Sequence, residues 1–117
     1  AQVLVDDLGP HASAMSFDDA LLCDRLASSH IVIQTTSLGM HPHADVSPVD
    51  TFEWVNEDML CCDIVYQPSE TVFMKQVKAH RGRVLGGAGM LAAQGMFAFE
   101  KFTGVRPEWP LFKAGFV

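Results

Sequence analysis

Three short apolar runs, Ile31-Val32-Ile33, Cys61-Cys62-Asp63-Ile64-Val65-Tyr66 and Arg83-Val84-Leu85, alternate along the chain with segments whose apolar residues recur at helical spacing. The first run is β-branched on consecutive positions, the pattern of a strand buried on both faces. Strands separated by helices are joined by right-handed crossovers, so the pattern predicts an α/β layer structure around a small parallel sheet.

The intervening segments carry their own signals. Residues 1–8 read as a short helical piece that ends near Gly9-Pro10. Ser16 followed by Asp19 resembles a capping box and predicts a helix through Ala20, Leu21, Leu22 and Leu26. Pro42 and Pro48 mark a loop, with a short helical stretch expected around Trp54. Pro68 stops the second strand. Residues 70–80 place Phe73 and Val77 at helical spacing, with Gly82 as a stop. A last helix is expected from about Met90 to Phe102 with a stripe of Leu91, Ala98 and Phe102, ended by Gly104 and Pro107. Three strands leave open edges, which are a liability in a free-standing domain. The first element also lacks an N-cap and a preceding strand. The expectation is a sheet that is only partly present, in a chain that begins in mid-element.

Composition narrows the class. The chain has 117 residues, which suits one domain. Its 49% apolar and 19% charged residues argue against disorder. A net charge of −6 repels phosphate backbones and argues against nucleic acid as a partner. No apolar run is long enough to cross a bilayer, and the first residues lack the basic start of a signal peptide. Cys23, Cys61 and Cys62 are odd in number and two are adjacent, which does not suit a disulfide framework. A reducing compartment, the cytoplasm, is expected.

Chemistry-bearing residues gather after the strands. Thr35-Thr36-Ser37-Leu38-Gly39-Met40 and Tyr66-Gln67-Pro68 follow two strands on the side where parallel sheets bind ligands. Hydroxyls and a glycine suit a polar cofactor, although the same residues would serve an ordinary polar turn. Gly87-Ala88-Gly89-Met90-Leu91-Ala92 matches G-x-G-x-x-A between strand and helix. A dinucleotide fingerprint needs a further strand with an acidic residue about 20 positions on, and no strand pattern follows Gly104. The match is read as fortuitous, although its glycines can still pass close to a ligand. His41, His43, Asp45, Cys61 and Cys62 have no usual zinc spacing, and adjacent strand cysteines face opposite ways. Gln94 is either a surface glutamine or an amide offered to a hydroxylated ligand. Trp54, Trp109, Phe97 and Phe99 need only packing, and His80 suits a helix C-terminus.

Three segments in register resemble the shikimate dehydrogenase family from about Ile31 to Gly104. Ile33-Gln34-Thr35-Thr36-Ser37-Leu38-Gly39-Met40 is similar to the family's I-N-x-T-S-x-G-M stretch. Asp63-Ile64-Val65-Tyr66-Gln67-Pro68 with Glu70-Thr71-Val72-Phe73 resembles its D-x-x-Y-x-P segment and the helix after it. Gly87 through Gly95, with Ala98-Phe99 and Thr103-Gly104, is similar to its G-x-x-M-L-x-x-Q-x-x-x-x-F ending. Gln34 replaces the family's usual Asn, and Gly86 stands where a polar residue often precedes the glycine.

The resemblance implies a partial Rossmann-like three-layer unit, with residues 1–117 as the C-terminal portion of an NADP-binding domain truncated on its N-terminal side. It implies a parent enzyme that reversibly reduces 3-dehydroshikimate to shikimate with NADPH, in the route to aromatic amino acids. By the same resemblance Thr36 and Ser37 would border the cofactor, Ile64 would line the nicotinamide side, and Gly87 and Met90 would lie by the ring. Tyr66 and Gln94 would contact the shikimate ring. The substrate domain with the catalytic Lys and Asp, and the glycine-rich pyrophosphate loop, have no counterpart here. No catalytic residue is assigned to these 117 residues, which alone are expected to be inactive. Lys75, Lys78, Lys101 and Lys113 fit helix or tail surfaces. Two other readings stay open: a quinate/shikimate dehydrogenase using NAD, and a non-catalytic binding or assembly module. The expected partner is the rest of the domain, or a second copy through the truncated face.

Overall fold

The structure is a computed structural model that describes residues 2–115. Ala1 of the first helical piece lies outside the described residues. Helix α1 (Gln2–Leu8) runs into a 3-10 turn (Gly9–His11), followed by α2 (Leu22–Ala27), β1 (Ile31–Gln34), β2 (Leu60–Asp63), α3 (Val72–Ala79), β3 (Arg83–Leu85), α4 (Ala88–Thr103) and α5 (Trp109–Ala114). The strands form one parallel sheet in the order β1-β2-β3.

Register decides which side chains make the core. Val32, Cys61 and Val84 are paired across the three strands and so share one face. On that face they pack with Phe52, Trp54, Met59, Phe73, Met74 and Val77, with Leu26 and Val49 at the margin. The opposite face carries Ile31, Ile33 and Leu85, each more than half exposed. The expectation that the first strand is buried on both faces is therefore wrong for these residues: its consecutive apolar pattern is present, but only one side of the sheet is covered.

Helix α3 forms for reasons visible in its sequence. Thr71 caps it, its hydroxyl accepting from the Met74 amide. Phe73 and Val77 then fall one turn apart on the buried face, as the spacing predicts. Lys78 donates to Glu70 across an exposed ion pair, and this hydrogen bond holds the Glu70 carboxyl below its ordinary range. His80 caps the helix, its Nδ1 paired with the Gln76 carbonyl oxygen at 2.9 Å. The left-handed residue after it is Arg81, at φ +66°, not Gly82. Gly82 is needed for space: a Cβ there would stand 2.5 Å from Val55 and 2.6 Å from Val77.

Three expectations fail locally. Ser16 and Asp19 close a turn among themselves: Asp18 N–H donates to the Ser16 hydroxyl and Leu21 N–H to Asp19 Oδ1. Helix α2 therefore starts only at Leu22, six residues beyond the apparent cap. The segment around Trp54 is a turn rather than a helix; the indole N–H donates to the Thr51 carbonyl at 2.7 Å and the ring stacks on Phe52. In α4 the buried residues are Ala92 and Met96, whereas Ala98 is exposed and Phe102 is 90% exposed. The stripe read from Leu91, Ala98 and Phe102 belongs to an uncovered side. After Gly104 (φ +72°), which ends α4 as expected, the tail forms α5, with Phe112 set against Phe99.

Candidate functional site

The C-terminal ends of β1 and β2 lie side by side, Gln34 paired with Asp63. The loops that leave them, residues 35–40 and 64–66, form the two walls of a shallow cleft of about 310 Å³. Thr35, Thr36, Ser37 and Met40 make one wall; Ile64, Val65 and Tyr66 make the other. This is the position at which parallel sheets take ligands, at the carboxyl ends of the strands.

Each wall has a reason for its shape. Thr36 closes its own turn, its hydroxyl accepting from the Leu38 amide at 3.2 Å. Gly39 (φ +89°) lets the loop double back, its amide donating to the His43 carbonyl at 3.0 Å. A Cβ at Gly39 would meet the Thr71 side chain at 3.1 Å, so the loop lies tight on the start of α3. The other wall is held by α4: a Cβ at Gly87 would stand 2.2 Å from the Ile64 carbonyl oxygen and 2.9 Å from that of Val65. The Gly87 amide donates to Val65 O at 3.3 Å. Gly87 is thus required by backbone packing of strand against helix, whatever else it does.

The structure gathers four of the seven anticipated residues, Thr36, Ser37, Ile64 and Tyr66, round this one cleft. Gly87 lies directly behind it. Met90 and Gln94 are exposed on α4, four residues apart on one side of the helix, and do not line the cleft. The free thiols of Cys23, Cys61 and Cys62 are outside it too. Burial pushes the Cys61 thiol up to about 11, with Cys62 adding to the shift. Among the described residues no group of His, Cys, Asp and Glu could hold a metal ion, and no helix is long and apolar enough to cross a membrane.

One group of residues is unforeseen. Gln34, Asp63 and Thr71 are all buried beneath the cleft. Asp63 accepts from the Thr71 hydroxyl at 2.6 Å, the Val65 amide at 2.9 Å and the Gln34 amide at 3.4 Å. The Gln34 side chain also donates to the Leu38 carbonyl at 2.9 Å and accepts from the Thr36 amide. The available signal was phase: Gln34 sits two residues after Val32, and Asp63 two after Cys61, so both polar residues share the core face. A second, apolar cavity of about 210 Å³ lies between α2, β1 and the Trp54 turn, and shares Thr35 and Thr36 with the cleft.

A parallel sheet with its open cleft beyond the strand ends defines a Rossmann-like α/β unit. No family model matches the chain. A curated relative from Geobacillus kaustophilus, named shikimate dehydrogenase (NADP(+)), is 46% identical over 86 residues, covering 74% of this chain and 30% of the relative. A crystal structure of a shikimate dehydrogenase in complex with NADP+ superposes with TM-score 0.72 at 38% identity, over 78% of this chain and 32% of that one. Quinate dehydrogenase from Corynebacterium glutamicum, in complex with NAD, gives TM-score 0.80 at 28% identity, over 99% and 40% respectively. The chain belongs to the shikimate dehydrogenase family, and spans about a third of the length of the curated relatives it matches.

Proposed function

We propose that the chain forms the nicotinamide-side wall, and part of the substrate wall, of an NADP-dependent shikimate dehydrogenase that reversibly reduces 3-dehydroshikimate to shikimate. The observation that carries this reading is the convergence of Thr36, Ser37, Ile64 and Tyr66 on one cleft beyond β1 and β2, backed by Gly87. In this reading Thr36 and Ser37 border the cofactor, Ile64 faces the nicotinamide, and Gly87 and Met90 lie by its ring. Tyr66 and Gln94 are exposed polar side chains able to hydrogen-bond the hydroxyls of the substrate ring.

Hydride transfer needs carbinol carbon and nicotinamide held in near-attack geometry, and a group to move the hydroxyl proton. The cleft supplies a shelf and donors for the first requirement. For the second it supplies no lysine, and Lys78 is engaged with Glu70. The proton-moving Lys and Asp then come from the remainder of the relatives' length, and these 117 residues alone are inert. The bare face at Ile31, Ile33 and Leu85 would receive that remainder, or a second copy. The free cysteines suit the cytoplasm.

A second reading, a quinate/shikimate dehydrogenase using NAD, is favoured by the match to the quinate dehydrogenase over 99% of this chain. Initial rates of the protein expressed from its complete reading frame decide between them, with shikimate or quinate and NADP or NAD. The first reading predicts the highest kcat/KM for shikimate with NADP. A reversed ranking supports the second, and no turnover with any pair leaves a binding or assembly role.

A further inference from the structure

The buried group beneath the cleft ties together three segments that are distant in sequence. Gln34 is 4% exposed, Asp63 2% and Thr71 fully buried. Gln34 holds the first wall at two points, the Thr36 amide and the Leu38 carbonyl. Asp63 holds the second wall at the Val65 amide, next to Tyr66. Thr71 joins Asp63 to the first turn of α3, donating to the carboxyl group and accepting from the Met74 amide. The bond between Gln34 and Asp63 closes the set. Among the described residues no buried side-chain nitrogen or oxygen lacks a partner, so removing one member strands another.

Satisfied buried networks fix geometry more than they add stability. A binding cleft with walls from two different loops needs such fixing, because a shift of about 1 Å in a supporting group is enough to spoil it. The side chain at position 34 bridges both loops through its amide. A shorter Asn still reaches the amide two residues on, as Asp63 reaches that of Val65, whereas Met, of similar length, keeps none of the three hydrogen bonds.

We propose that Gln34, Asp63 and Thr71 are positioning residues that set the separation between the Thr36-Ser37 and Ile64–Tyr66 walls, with the amide at 34 as the bridge. What fills the cleft rests on the cofactor reading above; the lock itself does not. Two readouts therefore separate the ideas. Amide hydrogen exchange at Thr36, with the Leu60 amide of β2 as internal reference, reads the lock directly. The KM for NADP against kcat, in the protein from its complete reading frame with shikimate, reads its consequence.

Gln34→Met should speed exchange at Thr36 about tenfold, the factor carried by one net hydrogen bond, and leave Leu60 unchanged. Gln34→Met should raise the KM for NADP by a similar factor with kcat nearly unchanged. Thr71→Ser, which keeps the hydroxyl, should restore wild-type behaviour where Thr71→Val does not. Unchanged exchange at Thr36 in folded Gln34→Met overturns the lock. Faster exchange with an unmoved KM, in an enzyme that does use NADP, overturns the positioning role. If the wild-type protein does not use NADP, the cofactor reading falls and exchange alone decides the lock.

Discussion

A methyl group at Gly87 would stand 2.2 Å from the Ile64 carbonyl oxygen, closer than any relaxed structure allows. Because the obstacle is backbone, no rotamer change relieves it. Gly87→Ala should destabilise the fold by about 3 kcal/mol despite the gain from a stiffer unfolded chain, measured by urea unfolding. Cys61 gives a residue-scale expectation about pH. Its thiol is pushed from 9.0 to about 11 in the folded chain, mainly by burial and secondarily by Cys62. A raised pKa favours the protonated thiol, so this stabilisation is complete below about pH 9 and is lost as pH rises through 11. Unfolding midpoints should fall across that window, and Cys61→Ser or Cys61→Ala should flatten the fall. Alkylation of the native protein at neutral pH should label exposed Cys23 and spare Cys61.

Helix α4 shows how far an element can be argued from its ends. Gly104 closes it in the left-handed region with nothing within 4 Å of a hypothetical Cβ, so only backbone strain opposes a substitution. Gly104→Ala should cost about 1 kcal/mol, in contrast to Gly87, and thermal unfolding checks both on one scale. The strands, α3 and the end of α4 were legible because apolar runs, helical spacing and a terminal glycine are local signals. The start of α2 was not, since the Ser16 and Asp19 side chains accept from the Asp18 and Leu21 amides in a turn that competes with the helix. Trp54 was misplaced because its ring is fixed by Phe52 and Thr51 rather than by helical period. At the site, residue identities at 36, 37, 64 and 66 were legible by resemblance. The buried hub of Gln34, Asp63 and Thr71 was not, because each is an ordinary polar residue until the register places them together.

At the scale of the molecule the sheet is clothed on one face only. The radius of gyration is 16.7 Å, against about 13 Å for a compact domain of about this length, so the chain does not close on itself. Ile31, Ile33 and Leu85 on the open face, with Phe97, Phe102 and Leu111 on α4 and α5, leave apolar surface that water penalises. The 117-residue chain should therefore self-associate as concentration rises, which sedimentation velocity would detect; a monomer at all concentrations would mean that this surface is tolerated. The cleft is tested by mapping backbone amide shifts on adding NADP to the isotopically labelled protein. The perturbed amides should be those of Thr36, Ser37, Ile64, Gly87 and Met90. Shifts confined to other regions, such as the loop of His41 and His43 or α2, would contradict this.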